Sequence, residues 1–132
     1  MNKKILTIGC VFSLLSIAIG AFGAHTLKEL ITADQLASLK TGVHYQMYHA
    51  LVLIIIGFNA DKMKNIATVS SLFIIGILFF SFSIYILSLQ DLMALNLSSS
   101  SIGKGFGLIT PIGGLLFIAA WIALINSILK QK

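Results

Sequence analysis

The side chains that could take part in chemistry lie near one end of the first two apolar runs of this chain. The first run ends at His25. The second opens with a cluster of polar side chains: His44, Tyr45, Gln46, Tyr48 and His49. Residues four apart share a helix face, so His44 should lie beside Tyr48, and Tyr45 beside His49. If the run crosses a bilayer, His49 lies roughly 9 Å below its outer surface, where an ionisable group is a candidate functional site.

Three kinds of chemistry fit these residues. In the first, His25, Tyr45 and His49, together with Gln46, form hydrogen bonds between helices that fix the bundle. In the second, His49 is the titrating group of a ligand or proton site that faces an outward cavity. In the third, histidines from two helices bind zinc, copper or haem iron. Because no cysteine or acidic residue joins them at a recognisable spacing, we predict no metal and no cofactor.

No signature of an enzyme accompanies these residues. The aspartates Asp34, Asp61 and Asp91 fall in predicted loops and Glu29 falls in an outer segment, so no buried carboxylate is available to orient a histidine. The sequence contains no nucleophile elbow, no phosphate-binding loop and no HExxH motif. We therefore predict that the protein is not an enzyme and assign no catalytic residue.

The composition excludes a soluble protein. Hydrophobic residues make up 58% of the 132 residues and charged residues 10%, and the mean hydropathy is +1.00. A soluble domain carries roughly 25% charged residues, so the surface of this one must face something apolar. All nine cations are lysines and none is arginine, whereas nucleic-acid recognition relies on the planar fork of arginine. Nucleic acid is therefore not an expected partner.

Four apolar runs are long enough to cross a membrane. A helix needs about 20 apolar residues to cross a hydrocarbon core of roughly 30 Å. The runs that qualify contain no charged side chain and cover approximately residues 5–24, 43–60, 66–89 and 107–129. Backbone amides in lipid must be satisfied within their own segment, so each run should be a helix. We predict a single all-α membrane domain, residues 1–132, built as a four-helix bundle.

Lysine counts predict the orientation of the bundle. Four spans put both termini on the same side as the short loop after the second run. That side holds six lysines and the opposite side three. By the positive-inside rule both termini are cytoplasmic, which places a multi-pass protein in the cytoplasmic (inner) membrane of a bacterium.

The outer segments differ in character. Both Thr26–Glu29 and Thr32–Gln35 fit a helix-start box. The second box predicts a helix from Ala33 that carries Leu36, Leu39 and Val43 on one face and could run on into the membrane. We predict that its outer portion forms a short amphipathic helix at the membrane surface, between the first two spans. Residues 98–107, rich in serine and glycine, should be mobile.

Small side chains form stripes along three of the runs. Helices in lipid associate through close contact, which small residues permit. In the first run five small residues share a face: Gly9, Ser13, Ser16, Gly20 and Gly23. The third offers Gly76 and Ser83 with Ser81, Tyr85 and Ser88, and the fourth offers Gly113, Ala120 and Ser127. These stripes predict the helix contacts of a tight bundle.

Thr110 and Pro111 leave two starting points open for the fourth helix. Proline suits the first helical position with threonine as the cap before it, and this reading makes residues 102–110 non-helical. In the other reading the helix starts near Gly105 and kinks at the proline. We favour the start at Pro111.

Four blocks of residues together resemble a known family. They are Gly20-Ala-Phe-Gly-Ala-His25, Tyr45-Gln-x-Tyr-His49, Phe80-Ser-x-Ser-x-Tyr85, and Thr110-Pro-Ile-Gly-Gly114 followed by Trp121. In this order, over essentially the whole chain, they look like the domain-of-unknown-function 423 family of small bacterial membrane proteins (the YgdD and YwdK types, with eukaryotic relatives of the transmembrane protein 256 type). Where that family would have glycine before the tryptophan, this chain has Ala120.

The resemblance implies a four-span inner-membrane protein with no catalytic residues to carry over. It also implies a set of motif positions: His25, Tyr45, Gln46, His49, Tyr85, Thr110, Pro111, Gly113 and Gly114. On the predicted spans all nine fall in the outer third of the bilayer. We therefore hypothesise an outward-side polar site that binds a lipid, a small molecule or a partner protein without catalysis. The alternatives are an oligomeric carrier or channel, and a haem or metal protein.

Overall fold

Four long helices account for most of the computed structural model, which describes residues 1–95 and 101–130, apart from the side chains at 101–104 and 106. They are α1 (Lys3–His25), α2 (Ala33–Phe58), α3 (Ile66–Leu89) and α4 (Ser101–Leu129). No strand occurs within these described ranges. Each helix contains a segment long and apolar enough to cross a membrane. The predicted all-α membrane fold with four spans is confirmed.

The small-residue face of α1 packs against α2. A Cβ atom added at Gly9 would lie 2.8 Å from the Cγ1 atom of Ile54 and 2.9 Å from the backbone oxygen of Ala50. The hydroxyl of Ser16 donates to the backbone oxygen of Val43 at 2.9 Å. Glycine and serine thus allow the two backbones to approach closely. This confirms the contact surface that the stripe predicts for the first helix.

The outer part of α2 is a continuation of the spanning helix, and no separate α-helix lies between α1 and α2. The Thr32–Gln35 capping box is present, with Gln35 N donating to Thr32 Oγ1 at 3.2 Å and Thr32 N to Gln35 Oε1 at 2.9 Å. The other predicted box forms no side-chain cap, and only a 3₁₀ turn, Leu27–Glu29, follows it. The apolar face expected to rest on the membrane surface packs inside the bundle instead, because Leu39 is buried with Leu27 and Tyr85, while Leu36 and Val43 are half-buried.

The third helix contains an irregular turn near its middle. It is α-helical over Ile66–Ile77, a π-helix over Leu78–Phe82 and α-helical again over Ser83–Leu89. Such turns insert one residue into a helix and shift the faces on either side relative to each other. Gly113 of α4 lies directly against this turn, since a Cβ atom added there would be 2.4 Å from Phe80 N.

The fourth helix passes through Pro111 without interruption. The prediction that residues 102–110 are non-helical is therefore wrong, and the helix starts even earlier than the alternative near Gly105. A proline inside a helix loses one hydrogen bond, the one to residue i−4, and membrane helices tolerate this where neighbouring groups compensate. Of the predicted mobile segment 98–107, residues 98–100 lie outside the described ranges, and the remainder is helical.

Three contacts hold the first residues of the chain and the last turn of α4 against the end of α2 and the loop that follows it. The Met1 ammonium pairs with the carboxylate of Asp61, and Asn2 N donates to the backbone oxygen of Gly57 at 2.8 Å. The Ser127 hydroxyl donates to the backbone oxygen of Lys64. This end of the bundle, with Lys3, Lys4, Lys62, Lys64 and Lys130, is called the lysine-rich end below; the other end, which contains Ala33 and Leu89, is called the far end. The helices α2 and α3 form the centre of the bundle, and α1 and α4 flank them.

Candidate functional site

A buried glutamine joins three helices in the middle of the protein. Gln46 is fully buried on α2. Its amide nitrogen donates to the backbone oxygen of Phe12 on α1 at 2.8 Å, and its amide oxygen accepts from the hydroxyl of Tyr85 on α3 at 2.9 Å. Gly42 leaves room for the tyrosine ring, because a Cβ atom there would lie 2.8 Å from its Cε1 atom. Both ends of the amide are thus used in holding helices together.

The two ring nitrogens of His49 are both hydrogen-bonded. Nδ1 lies 2.7 Å from the backbone oxygen of Tyr45, and a carbonyl can only accept, so Nδ1 carries the proton. Nε2 lies 3.3 Å from Nε1 of Trp121, and an indole can only donate, so Nε2 accepts. These partners are those of a neutral imidazole. A metal ion at Nε2 would have to displace the indole.

Aromatic rings enclose His49 between α2, α3 and α4. Its ring stacks on Phe117 of α4 with centroids 3.6 Å apart and planes at 6°, and Phe73 of α3 lies 5.5 Å away. Tyr45 stacks on Phe80 at 4.6 Å. Offset and stacked aromatic pairs stabilise packing beyond their buried area. Through these contacts His49 packs α4 against the central helices.

The Thr110–Gly114 block provides the contact between α4 and α3. The Thr110 hydroxyl is hydrogen-bonded to the hydroxyl of Ser83 at 2.6 Å. The Ser83 hydroxyl donates to the backbone oxygen of Phe80 at 3.0 Å. The sequence suggested that Thr110 caps the fourth helix. In the structure it does not. Gly113 is buried against the π-helical turn, whereas Gly114 has ordinary contact distances of 3.9 Å to the ring of Phe80.

The predicted site residues thus fall into separate groups. Gln46 pairs with Tyr85, while Tyr45 and His49 belong to the aromatic cluster with Trp121, which sequence reasoning left out of the site. His25 is exposed at the end of α1 and hydrogen-bonds to none of them within the described ranges. At 1.5 Å per residue, His49 lies roughly 13 Å from the lysine-rich end of α2, near the middle of a 30 Å core rather than in its outer third.

The sequence did not predict the open cleft at the far end. It has a volume of about 490 Å³ and lies between α2, α3 and α4. Its walls include Asp34, Gln35, Ser38, Ile84, Leu87, Ser88, Gly107, Thr110 and Pro111. Ser88 is 3% exposed, and its hydroxyl has no hydrogen-bond partner in the described part of the protein. Buried polar groups are normally paired, so this hydroxyl is the unusual feature of the cleft.

The described residues contain no group of three histidine, cysteine or acidic side chains placed to hold a metal ion. Around His49 the neighbours are aromatic rings and an indole N–H, which supply no further metal ligand. In the cleft at the far end, Asp34 is the one carboxylate among the lining side chains.

Replacing His49 with phenylalanine should preserve the fold. Phenylalanine keeps the stack on Phe117 and loses the Trp121 hydrogen bond, which in a membrane protein contributes about 0.6–1.7 kcal/mol. Unfolding in mixed micelles should show a loss of about 1 kcal/mol, with a shift in the emission of Trp121. Loss of a co-purifying molecule from a variant that is still folded would contradict this structural role.

The helices and their contacts define the class of this protein: it is a small polytopic membrane protein of four helices. The chain belongs to the family described as a protein of unknown function (DUF423), whose model matches residues 19–114. The UPF0382 membrane protein YwdK of Bacillus subtilis is 39% identical over 131 residues, which are 97% of this chain and 98% of that protein.

Two further relatives extend this comparison. A UPF0382 membrane protein of Staphylococcus haemolyticus is 40% identical over 129 residues, 97% of each chain. One of Haemophilus influenzae is 35% identical over 133 residues, 100% of this chain and 98% of that protein. No solved structure matches the chain. The predicted family membership is confirmed.

Proposed function

We propose that this protein is a non-enzymatic binding protein of the bacterial inner membrane, and that the cleft at the far end binds a small molecule rich in hydrogen-bond donors. The observation that supports this most directly is the Ser88 hydroxyl, which is buried at the cleft without a partner. A ligand in the cleft would supply that partner and recover the cost of about 1–3 kcal/mol that an unpaired buried group imposes.

Two of the other groups at the cleft are hydrogen-bond acceptors only. Pro111 has no N–H, so it cannot donate to the backbone oxygen of Gly107, and both residues line the cleft. Asp34 adds a carboxylate that accepts but does not donate when ionised. Such a lining favours a small cation with several donors, for example a primary ammonium compound. Neutral hydroxyl-rich solutes would lack the attraction to the carboxylate.

The buried side chains of Gln46 and His49 have a different role in this proposal. Gln46 has both ends of its amide bonded, and His49 has both ring nitrogens bonded, so the polar atoms of both side chains already have partners within the protein. Their role is to fix the helices that form the cleft. We therefore assign the binding function to the residues around Ser88 and Thr110 and not to the histidines.

The orientation of the cleft is also part of the proposal. The lysine-rich end holds six lysines in the sequence and the far end three, and the relatives are bacterial membrane proteins. The positive-inside rule then places the lysine-rich end in the cytoplasm. The cleft would open on the outer side of the inner membrane.

Substituting leucine for Gly107 should abolish binding without harming the fold. Gly107 lines the cleft, and a Cβ atom added there meets nothing within 4 Å. Leucine is also a better helix former than glycine. Native mass spectrometry of the protein released from nanodiscs is expected to show a defined extra mass on the wild type that is absent from Gly107→Leu.

Gly105→Leu is the matched control for this experiment. Gly105 is on the same helix, a Cβ atom there also meets nothing within 4 Å, and the residue does not line the cleft. The control variant should keep the extra mass. Bare protein in all three samples, even after titration with ethylammonium chloride, or an extra mass retained by Gly107→Leu, would overturn the proposed binding function.

A further inference from the structure

A second open space lies on the outside of the bundle near the lysine-rich end. It is a groove of about 320 Å³ between α2 and α4. Apolar side chains form most of its walls: Val52, Ile55, Ile56, Met63, Leu124 and Ile128. Trp121 lines the groove as well, and is 42% exposed. A groove of this kind in a membrane-spanning surface faces the acyl chains of the bilayer.

One end of the groove is polar and the rest is not. Asn59 and Lys62, which follow the last turn of α2, are the polar residues of the lining. From Val52 on α2 to Asn59 just after its end, and from Trp121 to Ile128 on α4, the walls run for roughly 10 Å each. The groove thus has an apolar part of about two helical turns that ends at an ammonium group. This arrangement is complementary to an anionic lipid, which has an apolar chain and a negatively charged headgroup.

The charge of Lys62 is available to an outside partner. The carboxylate next to it in the sequence, that of Asp61, is already paired with the Met1 ammonium. That is the one ion pair among the described residues. Lys62 therefore supplies an uncompensated cation at the mouth of the groove, at the end of the bundle where lysines are concentrated.

We propose that this groove binds one acyl chain of an anionic phospholipid from the leaflet at the lysine-rich end, with the lipid phosphate on the ammonium of Lys62. The argument does not depend on the cleft at the far end, which is built from other residues. A zwitterionic phospholipid has the same acyl chain but carries its own cation, and so gains less from Lys62.

Trp121 provides a direct readout, because it is the single tryptophan of the chain and lines the groove. The protein is reconstituted in phosphatidylcholine vesicles that contain a small fraction of either brominated phosphatidylglycerol or brominated phosphatidylcholine, with bromine midway along the acyl chains. Bromine quenches indole fluorescence on contact. The wild type should be quenched by brominated phosphatidylglycerol with about fivefold higher relative affinity, the effect expected of one lysine near an anionic lipid.

Two lysine variants separate a specific site from general surface charge. Lys62→Gln should reduce the preference about fivefold. Lys64→Gln removes the same charge from the same loop but does not line the groove, and should leave most of the preference intact. Equal quenching of the wild type by both lipids would overturn the proposal. An equal loss in both variants would do so too, because it would reflect surface potential alone. Unfolding midpoints of the two variants confirm that each is folded.

Discussion

Replacing Gly113 with alanine is expected to destabilise the protein by about 3 kcal/mol, at the upper end of the usual cost of overpacking. The added Cβ atom would lie 2.4 Å from the backbone nitrogen of Phe80 and 2.7 Å from its Cα atom. These are backbone atoms of α3, so no side-chain rotation can make room. The two helices must separate, which also disturbs the nearby hydrogen bond between Ser83 and Thr110. Unfolding in mixed micelles, followed by the fluorescence of Trp121, measures the loss.

The neighbouring residue is the control for this prediction. At Gly114 an added Cβ atom would meet the ring of Phe80 at 3.9 Å, an ordinary contact distance. Alanine is also favoured over glycine in a helix interior by about 1 kcal/mol. Gly114→Ala should therefore be neutral or slightly stabilising. Equal stability of the two variants would show that the close approach of α4 to α3 at the π-helical turn is not what Gly113 provides.

Replacing Gln46 with leucine should lower the free energy of unfolding by about 2 kcal/mol. Leucine is similar in size to glutamine but cannot accept a hydrogen bond, so the Tyr85 hydroxyl loses its acceptor in a buried place. The contact with the Phe12 backbone oxygen is lost as well. Interhelical hydrogen bonds in membranes contribute about 0.6–1.7 kcal/mol each, and an unpaired hydroxyl adds to that cost. The same unfolding experiment is the measurement.

The partner residue allows a double-mutant cycle. Tyr85→Phe removes the hydroxyl and leaves the ring in its place against Gly42, so it should cost less than Gln46→Leu. In the double variant the hydroxyl is no longer left unpaired, and the total loss should be smaller than the sum of the single losses. Strict additivity would mean that the two side chains do not interact.

Several features of the fold can be read from the sequence because they depend on local properties. Hydropathy over 20 or so residues identifies the spans, since each must satisfy its own backbone in lipid. The stripe from Gly9 to Gly23 identifies the face of α1 that meets α2, because helical periodicity alone decides which residues share a face. The capping box at Thr32 is equally local, and it is present as predicted.

Other features depend on which helix lies opposite which, and only the tertiary structure decides them. Periodicity places His49 and Gln46 on faces of α2. It does not predict that His49 contacts Trp121 or that Gln46 contacts Tyr85. For the same reason the nine motif residues, expected to form one site, are divided between helix contacts and an open cleft, with His25 exposed at the end of α1. The start of α4 before Pro111 also depends on neighbours, because a membrane helix tolerates the hydrogen bond that proline removes where neighbouring groups compensate for it.

The cleft around Ser88 shows the same division. The sequence determined that Ser88 lies on the small-residue face of the third helix, and that Thr110 and Pro111 lie near the far end of the fourth. Whether a serine on such a face contacts a backbone or borders an open space depends on the separation of three helices. That separation results from the sum of all their contacts, at Gly42, Gly113 and the π-helical turn among them, and no single segment of the sequence encodes it.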